Sequence, residues 1–265
     1  MFNLIRADLF KLRKTWTIRI VIGITAISAL IMAMMAYLIP QGKIEASMTG
    51  IGFMFSDVNM ISILGAVLAG ISICGDFDNK TIHNAVANGI SRSTVIVSKA
   101  IILACSLALI LLPYAIITTA ALGSGSDYNM GSVAVGFLHL LTSEAGSGFS
   151  AAEIWKLLAV MLTLIIVYAA QLSICVPLAF LLKKPVLVVA IYYGLSILSA
   201  QLAGLANSSQ AFNRIFALTP FGGNYTFLTL DAAGGDLFKA ITVSLVFTIV
   251  ILAFTCVIFR RSEMK

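Results

Sequence analysis

Charge is what this chain has least of. Asp, Glu, Lys and Arg together make 11% of its 265 residues, against about 25% in soluble domains. The hydrophobic share is 60% and the mean hydropathy is +1.04. A soluble globular domain is therefore excluded, and long apolar runs point to membrane-spanning helices. The four cysteines, Cys74, Cys105, Cys175 and Cys256, form no C-x-x-C pair, so no metal or redox motif is supported. All four fall in apolar runs, where reduced, packed side chains are expected. There is no G-x-x-x-x-G-K-[ST] phosphate loop. The one Gly-Lys, Gly42-Lys43, has Tyr37 where the first glycine would stand, so the chain is not expected to hydrolyse ATP. Ser147 in A-G-S-G lacks the leading glycine of a G-x-S-G protease motif, and both histidines, His83 and His139, precede it. Asp76 and Asp78 lack the further ligands and closing Glu of a calcium loop. A solvated position near a helix start is expected for them. No span carries a central charge, which argues against a proton relay or an ion-driven carrier.

The apolar runs define six expected spans, at about 18–39, 58–75, 100–122, 154–182, 185–205 and 237–259. The fold class is all-α, one membrane domain over 1–265. Residues 1–17 precede the first span. There Phe2, Ile5, Leu9, Leu12 and Trp16 recur every three or four positions, with Arg6, Lys11, Arg13 and Lys14 on other faces. That pattern is a basic amphipathic helix in the membrane surface. The run after it is too long for the h-region of a signal peptide. In span 2, Gly65, Ala66, Ala69 and Gly70 make two small-x-x-x-small pairs, which admit a close neighbour. Pro113 in span 3 and Pro177 in span 4 are expected kinks. Between spans 3 and 4, an apolar patch at 133–141 is too short to span and reads as a helix at the outer interface. Ser150 and Glu153 form a capping box opening span 4. Before span 6, Phe212, Ile215, Phe216 and Leu218 share one helical face, and Pro220 then breaks the chain. Asn207-Ser208-Ser209 and Asn224-Tyr225-Thr226 match the glycosylation pattern, which arises often by chance.

Basic residues set the orientation. On this topology 13 of the 17 Lys and Arg fall on the side of both termini, the other four being Lys43, Lys156, Arg214 and Lys239. The positive-inside rule puts the first side in the cytoplasm. Acidic Glu45, Asp57, Asp127, Glu144, Glu153, Asp231 and Asp236 are assigned outside. The net charge of +6 is thus a topology signal and an attraction to anionic lipid, not a nucleic-acid footprint.

One polar island interrupts the cytoplasmic side, D-F-D-N-K-T-I-H-N-A-V-A-N-G-I-S-R-S-T-V-I-V-S-K at 76–99. It reads as a short helix at 80–87, capped by Asp78 or Asn79 and stopped by Asn88-Gly89. Ile82, Ala85 and Val86 fall on one side, and Ser91 can cap the next helix, which carries Arg92 and Lys99. The acidic Asp76, the Lys80-Thr81-Ile82 triplet, Gly89 before Ile90-Ser91-Arg92, and Lys99 resemble the loop after the second span in ABC-2 type permeases. That family usually has Glu at the position of Asp76, so the charge is kept and the reach is shorter.

The resemblance covers essentially the whole chain and implies an ATP-driven half-transporter. It is nearest in layout to bacterial permeases for bacitracin resistance, lantibiotic immunity or export of amphipathic peptide toxins. It implies that residues 1–17 are an interfacial elbow helix and that 76–99 is the coupling loop seated in an ATPase subunit. The coupling set would be Asp76, Lys80, Thr81, Ile82, Ala85, Val86, Gly89, Ser91, Arg92 and Lys99. Ile82 and Val86 are expected to enter an apolar groove of that subunit, with Arg92 near its acidic rim. A short helical hairpin in the outer leaflet would precede span 6. Implied partners are two ATPase subunits, carrying ATP and Mg, and a second permease, either another copy or a paralogue. The chain itself would hold no cofactor and no metal, and its site would be the bacterial cytoplasmic membrane. Tyr168, Gln171, Tyr192, Tyr193 and Gln201 are candidates for lining the path of an amphipathic peptide or other hydrophobic cargo. The alternatives are an ATPase-independent carrier or channel, and a permease for lipid-linked cargo.

Overall fold

The computed structural model describes residues 2–131, 134–146, 151–206 and 208–261. Ser147, Ser150, Asn207 and Lys265, which carry the protease, capping-box, first glycosylation and C-terminal readings, lie outside them. Among the described residues the chain is all-helical, with no strand. Six helices are long and apolar enough to cross a membrane, as expected of a multi-pass membrane protein.

Helix α1 (Phe2–Lys14) is separated by Thr15 from α2 (Trp16–Leu38), the first span. Short helices α3 (Thr49–Met54) and α4 (Asp57–Met60) lead into a π-helical turn at Ile61–Gly65 and then α5 (Ala66–Asp78). Together Asp57–Asp78 make the second span. Helix α6 (Thr81–Ala87) precedes the third span, α7 (Arg92–Gly123), and α8 (Phe137–Ser143) follows it. The fourth span is α9 (Ala151–Leu172) and α10 (Cys175–Leu182), the fifth α11 (Pro185–Ala206). Helix α12 (Gln210–Phe216) and α13 (Gly234–Arg261), the sixth span, complete the chain.

Helix α7 is the central post, touching α1, α2, α5, α8, α9 and α13. The small residues of span 2 explain how its neighbours approach. A Cβ at Gly70 would meet the backbone of Pro185, where α11 begins, at 3.1 Å. A Cβ at Gly65 would meet Leu172 of α9 at 3.0 Å. Ala66 and Ala69 are fully buried between them. At the periphery, only 11% of the apolar window of α11 and of α13 is covered, against 56% for α7 and for α9–α10. The apolar faces of α11 and α13 are left for lipid or another protein.

Several expectations are corrected. Span 4 is interrupted at Ser173–Ile174, one turn before Pro177, the proline at which a kink was expected. Proline has no N–H to give the carbonyl four residues earlier, here Ser173, so the ladder opens there. Pro113 sits inside an unbroken α7. The helix in the 133–141 patch exists as α8, but its apolar side chains are turned into the protein and not outward. Phe137, Leu138, Leu140 and Leu141 are completely buried, because α8 packs against α2 and α7. Between α11 and α13 only α12 is helical among the described residues. Turns follow it where a hairpin's second limb was expected, and Phe212 and Phe216 stack at 5.7 Å within α12. The cysteines are free, with Cys74 and Cys175 buried.

Candidate functional site

The polar island folds much as its sequence reads, but with its faces reversed. Its stop is a Schellman motif: Gly89 N–H donates to Val86 O (3.0 Å) and Ile90 N–H to Ala85 O (3.1 Å). Gly89 takes φ +85°, a conformation that favours glycine. Ser91 Oγ accepts from Thr94 N–H at 3.2 Å and caps α7. Neither Asp78 nor Asn79 caps α6. Asp78 ends α5, Asn79 donates from Nδ2 back to Gly75 O (2.8 Å), and Lys80 makes the corner at φ 55°.

Ile82 is 1% exposed and belongs to this chain's own core, while Ala85 and Val86 pack against that core. The apolar side of α6 is therefore spent internally and cannot fill an outside groove. What faces away is polar: Lys80, Thr81, Asn84, Asn88, Gly89 and Ser91, with Ala87. Arg92 also turns inward. Its guanidinium donates to Phe259 O (2.7 Å) and Arg260 O (3.1 Å) and lies over the Phe259 ring. It thus holds the last turn of α13, whose carbonyls lack helical partners.

Asp76 and Lys99 are not solvated members of a loop. They sit in a charged clasp that joins three helices. Lys99 Nζ donates to Asp8 Oδ2 of α1 at 2.7 Å and to Asp76 Oδ2 of α5, and Lys11 Nζ donates to Asp76 Oδ1 at 2.6 Å. Asp76 and Lys99 are almost completely buried, Asp8 nearly so, and Lys11 is largely exposed. Two acids and two bases alternate, so each buried charge has an opposite neighbour. The clasp borders a cavity of about 80 Å³ walled by Leu12, Ile18, Leu68 and Ile71. Sequence reasoning missed Asp8 and Lys11. The available signal was that Asp8 is the only acid in a basic helix and shares a face with Leu4 and Leu12.

A second buried polar cluster lies at the far end of span 2. Asp57, assigned from the sequence to the outer side, is completely buried. Its Oδ2 accepts from Tyr168 Oη of α9 (2.5 Å) and from Phe137 N–H at the start of α8 (3.2 Å). Its Oδ1 has no partner among the described residues. Gly136 closes the cluster with φ +64°. A Cβ there would collide with both Tyr168 Oη and Asp57 Oδ2, so only glycine fits. Gly136 N–H in turn donates to Thr226 O at 2.7 Å, tying the segment before α13 to span 2. Nearby, Tyr114 Oη donates to Phe55 O at 2.7 Å.

The expected lining residues do not converge. Tyr168 is the Asp57 donor, Gln171 Nε2 donates to Pro220 O at 2.8 Å, and Tyr192 is buried. Tyr193 and Gln201 face outward from α11. The apolar cavity of about 220 Å³ between α7, α9, α10 and α13 is lined by none of the five. No group of three or more His, Cys, Asp or Glu able to hold a metal occurs among the described residues. No family model matches the chain, and no curated protein matches it.

Proposed function

We propose that the chain is the permease half of an ATP-driven exporter of the ABC-2 type, working in a bacterial cytoplasmic membrane with both termini inside. The observation that carries this is α6, a two-turn helix with a Schellman stop, standing between spans 2 and 3 with a polar outer face. An ordinary loop has no need of a Schellman stop, an N-capped successor and a buried ionic clasp behind it. In this reading α6 is the coupling helix. A separate ATPase subunit touches Thr81, Asn84, Ala87 and Asn88, and the clasp conveys its motion to α1, α5 and α7. Two such subunits bind ATP with Mg, close on each other, and narrow the space between two permeases. The second permease, a copy or a paralogue, is seated on the apolar faces of α11 and α13, where Tyr193 and Gln201 then border the path. The cargo is an amphipathic peptide or peptide antibiotic. Elbow duty for α1 fits its outward Phe2, Leu9 and Phe10, although Trp16, read from the sequence as part of the same face, opens α2 instead.

The test uses α6's exposed face, because Val86→Asp would injure the chain's own packing. Asn84→Trp and Ala87→Trp are expected to abolish copurification of an ATPase while leaving the permease folded. Peptide-stimulated ATP hydrolysis should disappear with it. Normal ATPase recovery with both variants would rule the coupling assignment out. Stimulation by sugars or inorganic ions, and by no peptide, would overturn the cargo. The rival reading, an ATPase-independent carrier or channel, is favoured by one observation, the buried Asp57 with an unpartnered oxygen. Transport by the purified chain without an ATPase would establish it.

A further inference from the structure

The face that the topology sets opposite the termini has few cations, and two of them line one cavity. Of the four Lys and Arg that the topology assigns there, Arg214 on α12 and Lys239 on α13 line one cavity of about 420 Å³. Lys239 also lines an adjoining lobe of about 350 Å³, which shares Asn224 and Phe227 with the first. Neither cation forms an ion pair or side-chain hydrogen bond with a described residue. The carboxamides of Asn213 and Asn224 are likewise unspent. Among the described residues no carboxylate lines the larger lobe. Asp236 lines only the smaller one. Unused donors and positive charge facing one concavity concentrate anions there. Guanidinium matches phosphate oxygens in pairs, and ammonium adds a point charge.

Depth in the molecule identifies the anion's carrier. The cavity lies where α11 ends at Ala206 and α13 begins at Gly234, the level at which membrane-length helices meet lipid headgroups. Its walls include Phe221 and Phe227. The flanking apolar side chains Leu205 and Phe238 are 59% and 72% exposed, which suits acyl chains hanging from a held headgroup. We propose that this cavity binds the phosphate headgroup of an anionic membrane lipid in the leaflet opposite the termini. The site does not depend on the exporter reading.

The test is lipid binding to the purified full-length chain, counted by native mass spectrometry during titration with phosphatidylglycerol. Arg214→Gln with Lys239→Gln should weaken binding by roughly 30-fold, about fivefold for each basic side chain at a lipid surface. Arg214→Lys with Lys239→Arg should restore most of it. Lys43→Gln, also on that face but outside the cavity, should change nothing. An unchanged titration in the double Gln variant, with retained helical circular dichroism, would overturn the site. Displacement of the lipid by inorganic phosphate at equal concentration would overturn the lipid as the ligand. Equal loss with Lys43→Gln would show general surface charge instead.

Discussion

Two carboxylates are buried in span 2, one near each end, and they are kept in opposite ways. Asp76 meets two ammonium groups, Lys11 and Lys99. Asp57 meets none. Among the described residues it has a phenol and a backbone N–H on one oxygen and nothing on the other. The first arrangement balances charge and fastens helices that are far apart in sequence. The second leaves a charge-bearing group with only hydrogen bonds, at the junction of α4, α8 and α9. A buried ion pair loses most when one partner is removed, because the survivor stays buried and unpaired. A hydrogen-bonded acid without a cation loses mainly its donors.

The largest expected effect follows from that difference. Lys99→Met leaves Asp8 and Asp76 buried side by side with only the exposed Lys11 for compensation. Destabilisation of about 3–5 kcal/mol is expected, read as a lower thermal midpoint of the detergent-solubilised chain. Adding Asp8→Asn and Asp76→Asn should recover most of it, since the carboxamides need no cation. A single Lys99→Met variant as stable as the parent would show that the clasp is not a structural fastening.

At the other end the effects are smaller and differ in sign. Tyr168→Phe removes the shortest donor to Asp57 and should cost about 1–3 kcal/mol. Asp57→Asn keeps the shape and an oxygen for both donors while removing the lone charge, and should be neutral or stabilising. If Asp57→Asn destabilises as strongly as Lys99→Met, Asp57 has a cationic partner and the contrast between the ends fails. A double-mutant cycle on Asp57 and Tyr168 measures their coupling directly.

The smallest effect concerns pH. His139 on α8 stacks edge-on against Phe227 at 5.4 Å. Burial pushes its pKa below the ordinary 6.5, and nearby Glu144 partly offsets this. The unfolded chain therefore binds this proton more readily than the folded one. Stability should be flat above pH 6.5 and should fall as pH drops from there toward the depressed folded value. His139→Phe should flatten that part of the stability profile by a fraction of the whole. An identical slope in parent and variant would assign the effect elsewhere.

Local physics was legible in the sequence, and it covers most of the fold. Hydrophobic run length gave the six membrane-length helices to within a few residues, except that span 3 starts as early as Arg92. The Ser91 cap and the Gly89 stop were readable because each depends on a side chain or a φ angle within a few residues. The helix at 80–87 was legible for the same reason. Its orientation was not. Periodicity put Ile82 and Val86 on one side of α6, but no local rule says whether that side meets a partner or the chain's own core. Tertiary packing chose the core.

The same limit applies to the charged residues. From the sequence, Asp8, Asp57, Asp76 and Lys99 are acids and bases near the ends of apolar runs, where water is the default neighbour. Burial depends on what comes from elsewhere in the chain: α1 packing on α7, α8 packing against α2 and α7, α9 bringing Tyr168 to Asp57. Arg214 and Lys239 are 25 positions apart by their numbering and line one cavity only because α12 and α13 both wall it. Sequence determined the helices, their ends and the membrane they require, because those are set by nearest neighbours and by transfer from water. Tertiary structure alone decided which charges are paired, which are stranded and which face outward, because electrostatic partners are chosen by distance in space.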